Sequence, residues 1–284
     1  MLRRAPASRA IALATVLALA ALCAGCGNGA VAGGAAHADT TAPSGAGAQT
    51  GRTSTSSPSA ASIQVTDSGA TVDGRVRVLF VGDSITFGAQ YELQTALAAH
   101  DIETHFVGFP STGLLTDQDL WTRSEQIIVS RWHPDIVVIE ACCNYAEGSA
   151  EYRLPDGSTV APDTEQMYDL WTEAAQRAVR IGRSEGAQVR WVVMPDTGPG
   201  VAPAKQTRIA RFEAIAEAQG VPMIDWRTPL DVDGHYARTI EQDGVEVPIR
   251  QLDDLHLTDS GDVLITAATW KALAPVVSAI RRAG

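Results

Sequence analysis

From residue 75 onward, short apolar runs alternate with longer stretches whose apolar residues recur at helical spacing. Strand-like runs fall at Val76–Val81, Glu103–Val107, Ile136–Ala141, Val189–Met194 and Pro222–Asp225. Helical patterns lie between them at Ala89–Ala99, Leu120–Arg131, Glu165–Ser184 and Lys205–Gln219, and Ser260–Arg282 closes the chain. A helix-like stretch starting near Gly88 follows the first of these strands. Alternation of this kind predicts one α/β domain over residues 75–284, with a doubly wound, mostly parallel five-stranded sheet flanked by helices. About 210 residues are enough for one sizeable core. Tyr236–Ile240 and Val245–Ile249, separated by Glu241-Gln242-Asp243-Gly244, predict an exposed hairpin.

Before residue 75 the pattern changes. Arg3, Arg4 and Arg9 precede an apolar stretch, Ile11–Leu22, that is shorter than an ordinary membrane span and predicts an export signal over residues 1–25. Leu22-Cys23-Ala24-Gly25-Cys26 resembles a bacterial lipobox, in which the final cysteine, here Cys26, becomes lipid-modified and forms the new N-terminus. Cys23 stands where leucine is usual, so two alternatives stay open: processing near Ala36–Ala38 to a secreted protein, and a retained hydrophobic anchor. Residues 26–74 are rich in Gly, Ala, Ser, Thr and Pro. With few large apolar side chains they bury too little surface to offset ordering entropy, which predicts a disordered tether. Some 35 residues of flexible chain span about 30 Å, enough to lift a domain off a membrane. The expected location is therefore outside the cell, lipid-anchored to the outer face of the bacterial cytoplasmic membrane or else secreted.

The formal net charge is −11, and loss of Arg3, Arg4 and Arg9 with the signal takes it to −14. That sign disfavours nucleic acid and anionic lipid as partners, leaving a small-molecule or glycan ester easier to accommodate. Contact with the membrane is expected only through the N-terminal lipid, and the residues give no oligomeric state. No His-Glu-x-x-His, paired Cys-x-x-Cys, Asp-rich calcium loop or phosphate-cradling glycine loop occurs, so neither a metal nor any other cofactor is implied.

Chemistry enters where the strand Arg77-Val78-Leu79-Phe80-Val81 runs into Gly82-Asp83-Ser84-Ile85-Thr86. A serine hydroxyl attacks a carbonyl only if a neighbouring base takes its proton, and His256 in Asp253-Asp254-Leu255-His256-Leu257 is a candidate imidazole. Asp253, three residues earlier, can reach the other ring nitrogen and orient it. Each fragment also has a plainer reading. Gly-Asp-Ser is common in turns, and Asp253–His256 is also a fitting lead-in to a final helix capped by Asp259 or Ser260. His37, His100, His105, His133 and His235 lack a comparable partner in the sequence and are expected to be structural, as are Glu140 and Asp196 at strand ends. Gly-x-Ser-x-Gly is absent, since position 86 is threonine, which argues against an α/β-hydrolase nucleophile elbow.

Taken together, these residues resemble the SGNH (GDSL-type) hydrolases, whose four blocks supply Ser, Gly, Asn and His. Gly82–Thr86 matches the first block and Asp253-x-x-His256-Leu257 the last. Ser111-Thr112-Gly113 fits the second block better than Gly108 does. The third keeps Asn144 but reads Glu140-Ala141-Cys142-Cys143-Asn144-Tyr145, where the family has Gly-x-Asn-Asp. The resemblance implies a flavodoxin-like three-layer fold, a catalytic set of Ser84, His256 and Asp253, and oxyanion donors on the Ser84 N–H, the Gly113 N–H and the Asn144 amide. It implies a serine esterase acting through an acyl-enzyme. Two competitors remain: a surface glycan O-acyltransferase with the same triad, and a non-catalytic glycan-binding lipoprotein. In an exported chain the adjacent Cys142 and Cys143 read either as a vicinal disulfide that stiffens the turn presenting Asn144, or as buried thiols.

Overall fold

The first strand of the domain, β1 (Val76–Gly82), is buried at every position because it lies mid-sheet with helices on both faces. In the computed structural model, which describes residues 74–145 and 151–283, it leads into α1 (Ser84–Ala98), β2 (Ile102–Gly108), α2 (Gln118–Trp132) and β3 (Ile136–Ile139). A two-residue ladder, β4 (Tyr152–Arg153) with β5 (Thr159–Val160), precedes α3 (Glu165–Arg183), β6 (Gln188–Val193), α4 (Pro203–Glu217) and β7 (Met223–Asp225). A short pair, β8 (Asp231–Val232) with β9 (His235–Tyr236), the hairpin β10 (Thr239–Gln242) with β11 (Val245–Pro248), and α5 (Asp259–Ala283) complete the order. The expected signal, Cys26 and the tether up to residue 73 lie outside the described residues.

Five strands form one parallel sheet in the order β2-β1-β3-β6-β7, the doubly wound arrangement the sequence predicts. The chain moves outward from β1 to β2, then returns past β1 to β3 and continues the other way. That reversal opens a crevice at the carboxyl ends of β1 and β3, next to Gly82 and Ile139. Side chains alternate along each strand, so the sheet has a core on each face. Leu79, Val81, Val137 and Ile139 pack with Trp121, Trp132 and Trp171 of α2 and α3. Val78, Phe80 and Val138 pack with Leu93 and Leu97 of α1 and Leu273 and Val277 of α5.

Most boundaries shift by a residue or two from the sequence reading, and three of the differences have a clear local reading. Helix α1 begins at Ser84, several residues before Gly88, because Asp83 caps it: Asp83 Oδ1 accepts from the Ile85 N–H at 3.1 Å. Strand β3 stops at Ile139; the Glu140 N–H still donates to the Val81 carbonyl at 2.9 Å, and Ala141 lies beyond the strand. The hairpin turn is only Asp243-Gly244, both with positive φ (52° and 77°), which suits the twist of a two-residue hairpin.

Candidate active site

Ser84 is the first residue of α1, so its backbone N–H has no intrahelical acceptor and sits at the positive end of the helix dipole. The turn that puts it there is tight. A Cβ at Gly82 would collide with Thr86 Oγ1 and lie 2.7 Å from Glu140 Oε2, so only glycine fits between strand and helix.

The loop between β11 and α5 delivers the histidine. Gln251 N donates to the His256 carbonyl at 2.8 Å, and Asp253 Oδ1 accepts from the Leu255 and His256 N–H groups at 3.1 and 3.0 Å. The same carboxylate presents Oδ2 to His256 Nδ1 at 2.5 Å, and His256 Nε2 lies 2.9 Å from Ser84 Oγ. Folding thus unites groups that are 172 residues apart. Burial opposes the charge on Asp253, but the bonds from His256 and from the Leu255 and His256 amides outweigh it and hold the carboxyl below its usual range.

The next residue, Asp254, does a different job. It is buried, has a positive φ of 60°, and bonds to groups other than the histidine. Its Oδ1 accepts from Tyr236 Oη at 2.7 Å and from Arg238 Nε at 2.9 Å, with Arg238 Nη2 also in contact; Oδ2 accepts from Gly200 N at 2.8 Å. Those bonds, Tyr236 and Arg238 first, lower its pKa. The expected hairpin borders this loop, since Ile249 N donates to the Arg238 carbonyl at 2.9 Å. Sequence reasoning passed over Tyr236, Arg238 and Asp254; the doubled aspartate was the one available signal. Asp196 pairs with Arg227 at 2.7 Å and, with Gln206 and Tyr236, lines a neighbouring cavity of about 240 Å³.

The oxyanion side departs from expectation. The Gly113 N–H is already donated to Asp117 Oδ2 at 2.8 Å, because Asp117, four residues on, closes the turn before α2. The runner-up, Gly108, is the last residue of β2, paired with Gly82. Asn144 Nδ2, in contrast, is enclosed and has no hydrogen-bond partner among the described residues. The sulfurs of Cys142 and Cys143 are bonded to each other, and both residues are buried. Their N–H groups lie 3.5 and 3.4 Å from Asp83 Oδ2. Asp83, Cys142 and Cys143 form the one group of metal-ligating side chains found among the described residues, but bonded sulfurs supply no thiolate.

The remaining described histidines have other surroundings. His100 stacks on Trp270, His105 tilts against Trp132, and His133 ends α2 beside Glu185 at 3.5 Å. His235 belongs to β9.

Among solved structures, the chain is similar to Axe2, an acetylxylan esterase from Geobacillus stearothermophilus (17% identity, TM-score 0.47, covering 69% of this chain and 93% of that one). It is also similar to the psychrotrophic esterase EstA from Pseudoalteromonas sp. (12%, TM-score 0.47, covering 71% and 98%). A two-domain esterase active on acetylated mannans matches at 18% identity and TM-score 0.45 over 72% of this chain and 50% of that one. No curated protein matches it. At such identities the chemistry of this chain rests on its own residues. By a match over residues 77–272, the chain belongs to the family described as "Protein of unknown function (DUF459)", an SGNH-like family.

Proposed function

We propose that the protein is a serine esterase that hydrolyses carboxylic esters through an acyl-enzyme on Ser84. The observation that carries this reading is the unbroken line of contacts from Ser84 Oγ through His256 to Asp253, at 2.9 and 2.5 Å. Ser84 Oγ attacks the ester carbonyl carbon while its proton passes to His256 Nε2. The tetrahedral intermediate then collapses, the ester C–O bond breaks, and His256 returns the proton to the leaving alcohol. Water attacks the acyl-enzyme with His256 again as base, which releases the acid and restores Ser84. Asp253 keeps the ring in the tautomer with Nδ1–H and stabilises the imidazolium.

Negative charge on the carbonyl oxygen is met by the Ser84 N–H at the helix terminus and by Asn144 Nδ2, a donor with no acceptor among the described residues that gains one when the oxyanion forms. Gly113 joins them only if its N–H leaves Asp117. Ser84→Ala is expected to lower kcat for a short-chain aryl ester by about 10⁶-fold with an unchanged circular dichroism spectrum. Undiminished turnover would defeat the assignment.

Export and anchoring at Cys26 are part of the proposal, supported by the Arg3, Arg4 and Arg9 start, the apolar stretch and the Cys26 context. Metabolic labelling with a fatty acid should mark the wild-type chain in a bacterial host and not Cys26→Ser. Equal labelling of both would remove the anchor.

A further inference from the structure

Beneath Ser84 lie two carboxyl groups for which the proposed reaction has no use. Asp83 and Glu140 are each 1% exposed. Glu140 Oε2 accepts from Asp83 N at 3.0 Å, Thr86 N at 3.3 Å and Thr86 Oγ1 at 2.9 Å. Asp83 in turn accepts from Ile85 N through Oδ1 and faces the Cys142 and Cys143 N–H groups through Oδ2. The two acids therefore connect the turn that carries Ser84 to the segment that carries Asn144.

No ion pair among the described residues involves either acid. Among the described residues, what faces them is Thr86 from α1 and the Cys142 and Cys143 backbone, with Cys142 Sγ 3.9 Å from Asp83 Oδ2. Two adjacent carboxylates closed off from water without a cation cannot both ionise. Glu140 Oε2 sits on the Asp83 backbone N–H, which brings the two acids side by side, and a hydrogen bond between two carboxyl groups needs an O–H on one of them. Glu140 Oε1 is buried and has no hydrogen-bond partner among the described residues, which makes it the oxygen left to carry the proton. Burial first, then the Asp83 charge, drives Glu140 well above the usual carboxyl range.

We propose that Glu140 is a positioning residue for Ser84: as a neutral acid it donates to the Asp83 carboxylate and locks the nucleophile turn to the Asn144 segment. The inference rests on the reading of Ser84 as nucleophile. Its chemistry is a shared proton, with no bond made or broken. The pair holds a single negative charge. A second ionisation would set like charges against each other under the site and force the two segments apart.

The test compares Glu140→Gln, which keeps both an acceptor and a donor, with Glu140→Leu, which keeps neither. At neutral pH the infrared difference between wild type and Glu140→Gln should contain the C=O band of a protonated carboxyl. Glu140→Gln should retain kcat to within about threefold, whereas Glu140→Leu should lose about 100-fold in kcat with KM little changed, the scale of a small misplacement at a reacting group. Absence of the band, a Gln variant as damaged as the Leu variant, or a Leu variant with full kcat would overturn the proposal. If Glu140→Leu does not fold, the band and the Gln variant still decide. Failure of the esterase reading looks different: Ser84→Ala would keep its turnover while the infrared band persisted.

Discussion

Asp253 and Asp83 are carboxyl groups that neighbour the two proposed reacting side chains in sequence, and their surroundings are opposite. The Asp253 side chain is 47% exposed and faces an imidazole, so it stays charged and can answer the positive charge that forms on His256. Asp83 is sealed against a second carboxyl, and there burial raises the pKa. One site keeps a charge available for chemistry; the other shares a proton to hold backbone segments in place. The difference follows from solvent access and from the partner, since the residue type is the same.

The strongest way to break this comparison is Asp253→Asn. An amide can present its oxygen to Nδ1–H or its NH₂ to a bare nitrogen, so the tautomer is no longer fixed, and kcat should fall by about 10⁴-fold with little change in stability. Aryl-ester kinetics beside a thermal melt would check it; a variant within tenfold of wild type would show that Asp253 does not orient the base.

A smaller effect sharpens the contrast within a single dipeptide. Asp254→Ala removes the acceptor shared by Tyr236, Arg238 and Gly200, so it should lower Tm and loosen the loop that carries His256. Its loss of kcat should be well below that of Asp253→Asn. Differential scanning calorimetry with kinetics on both variants tests the division of labour, and the reverse ranking would refute it.

The mildest prediction concerns Asp262, an acid in the first turn of α5 that is buried like Asp83 but lies near Asp259 and Glu92. Burial first, then those two charges, pushes its pKa up to about 7 from an ordinary 3.8. Between those values the folded chain holds a proton that the unfolded chain has released, so this group's contribution to stability declines as pH rises from about 4 to about 7. Asp262→Asn should flatten that part of the Tm profile, each recovered kcal/mol appearing as about 2–4 °C. An unchanged slope would show that Asp262 is not the group responsible.

Much of the architecture was legible because it is written locally. Continuous apolar runs such as Val78–Val81 and Ile136–Ile139 mark strands covered on both faces, and the mixed runs of β2, β6 and β7 complete the five-stranded sheet. Ser84 and the Asp253–His256 spacing stood out for the same reason: each lies within a few residues of its own context. The start of α1 at Ser84 is hidden because Asp83 belongs both to the Gly-Asp-Ser motif and to the helix cap, and the motif masks the cap. The ladders β4–β5 and β8–β9 are two residues per strand, too short to show a period. Least legible were the side-chain contacts between distant segments. Nothing in the sequence near Glu140 reveals that it receives the Asp83 N–H 57 residues away, and nothing near Gly113 shows that Asp117 takes its N–H. Those pairings depend on how strands β1 and β3 come together and on how one loop closes.

The central claim is that His256 activates Ser84 for attack on an acyl carbon. It is tested most directly by peptide mass mapping after exposure to a fluorophosphonate, in which Ser84 Oγ would bond to phosphorus, fluoride would leave and His256 would take the proton. The account predicts a single adduct on Ser84 in the wild type and its loss in His256→Ala. An adduct on another residue, no adduct at all, or equal labelling of Ser84 without His256 would contradict it.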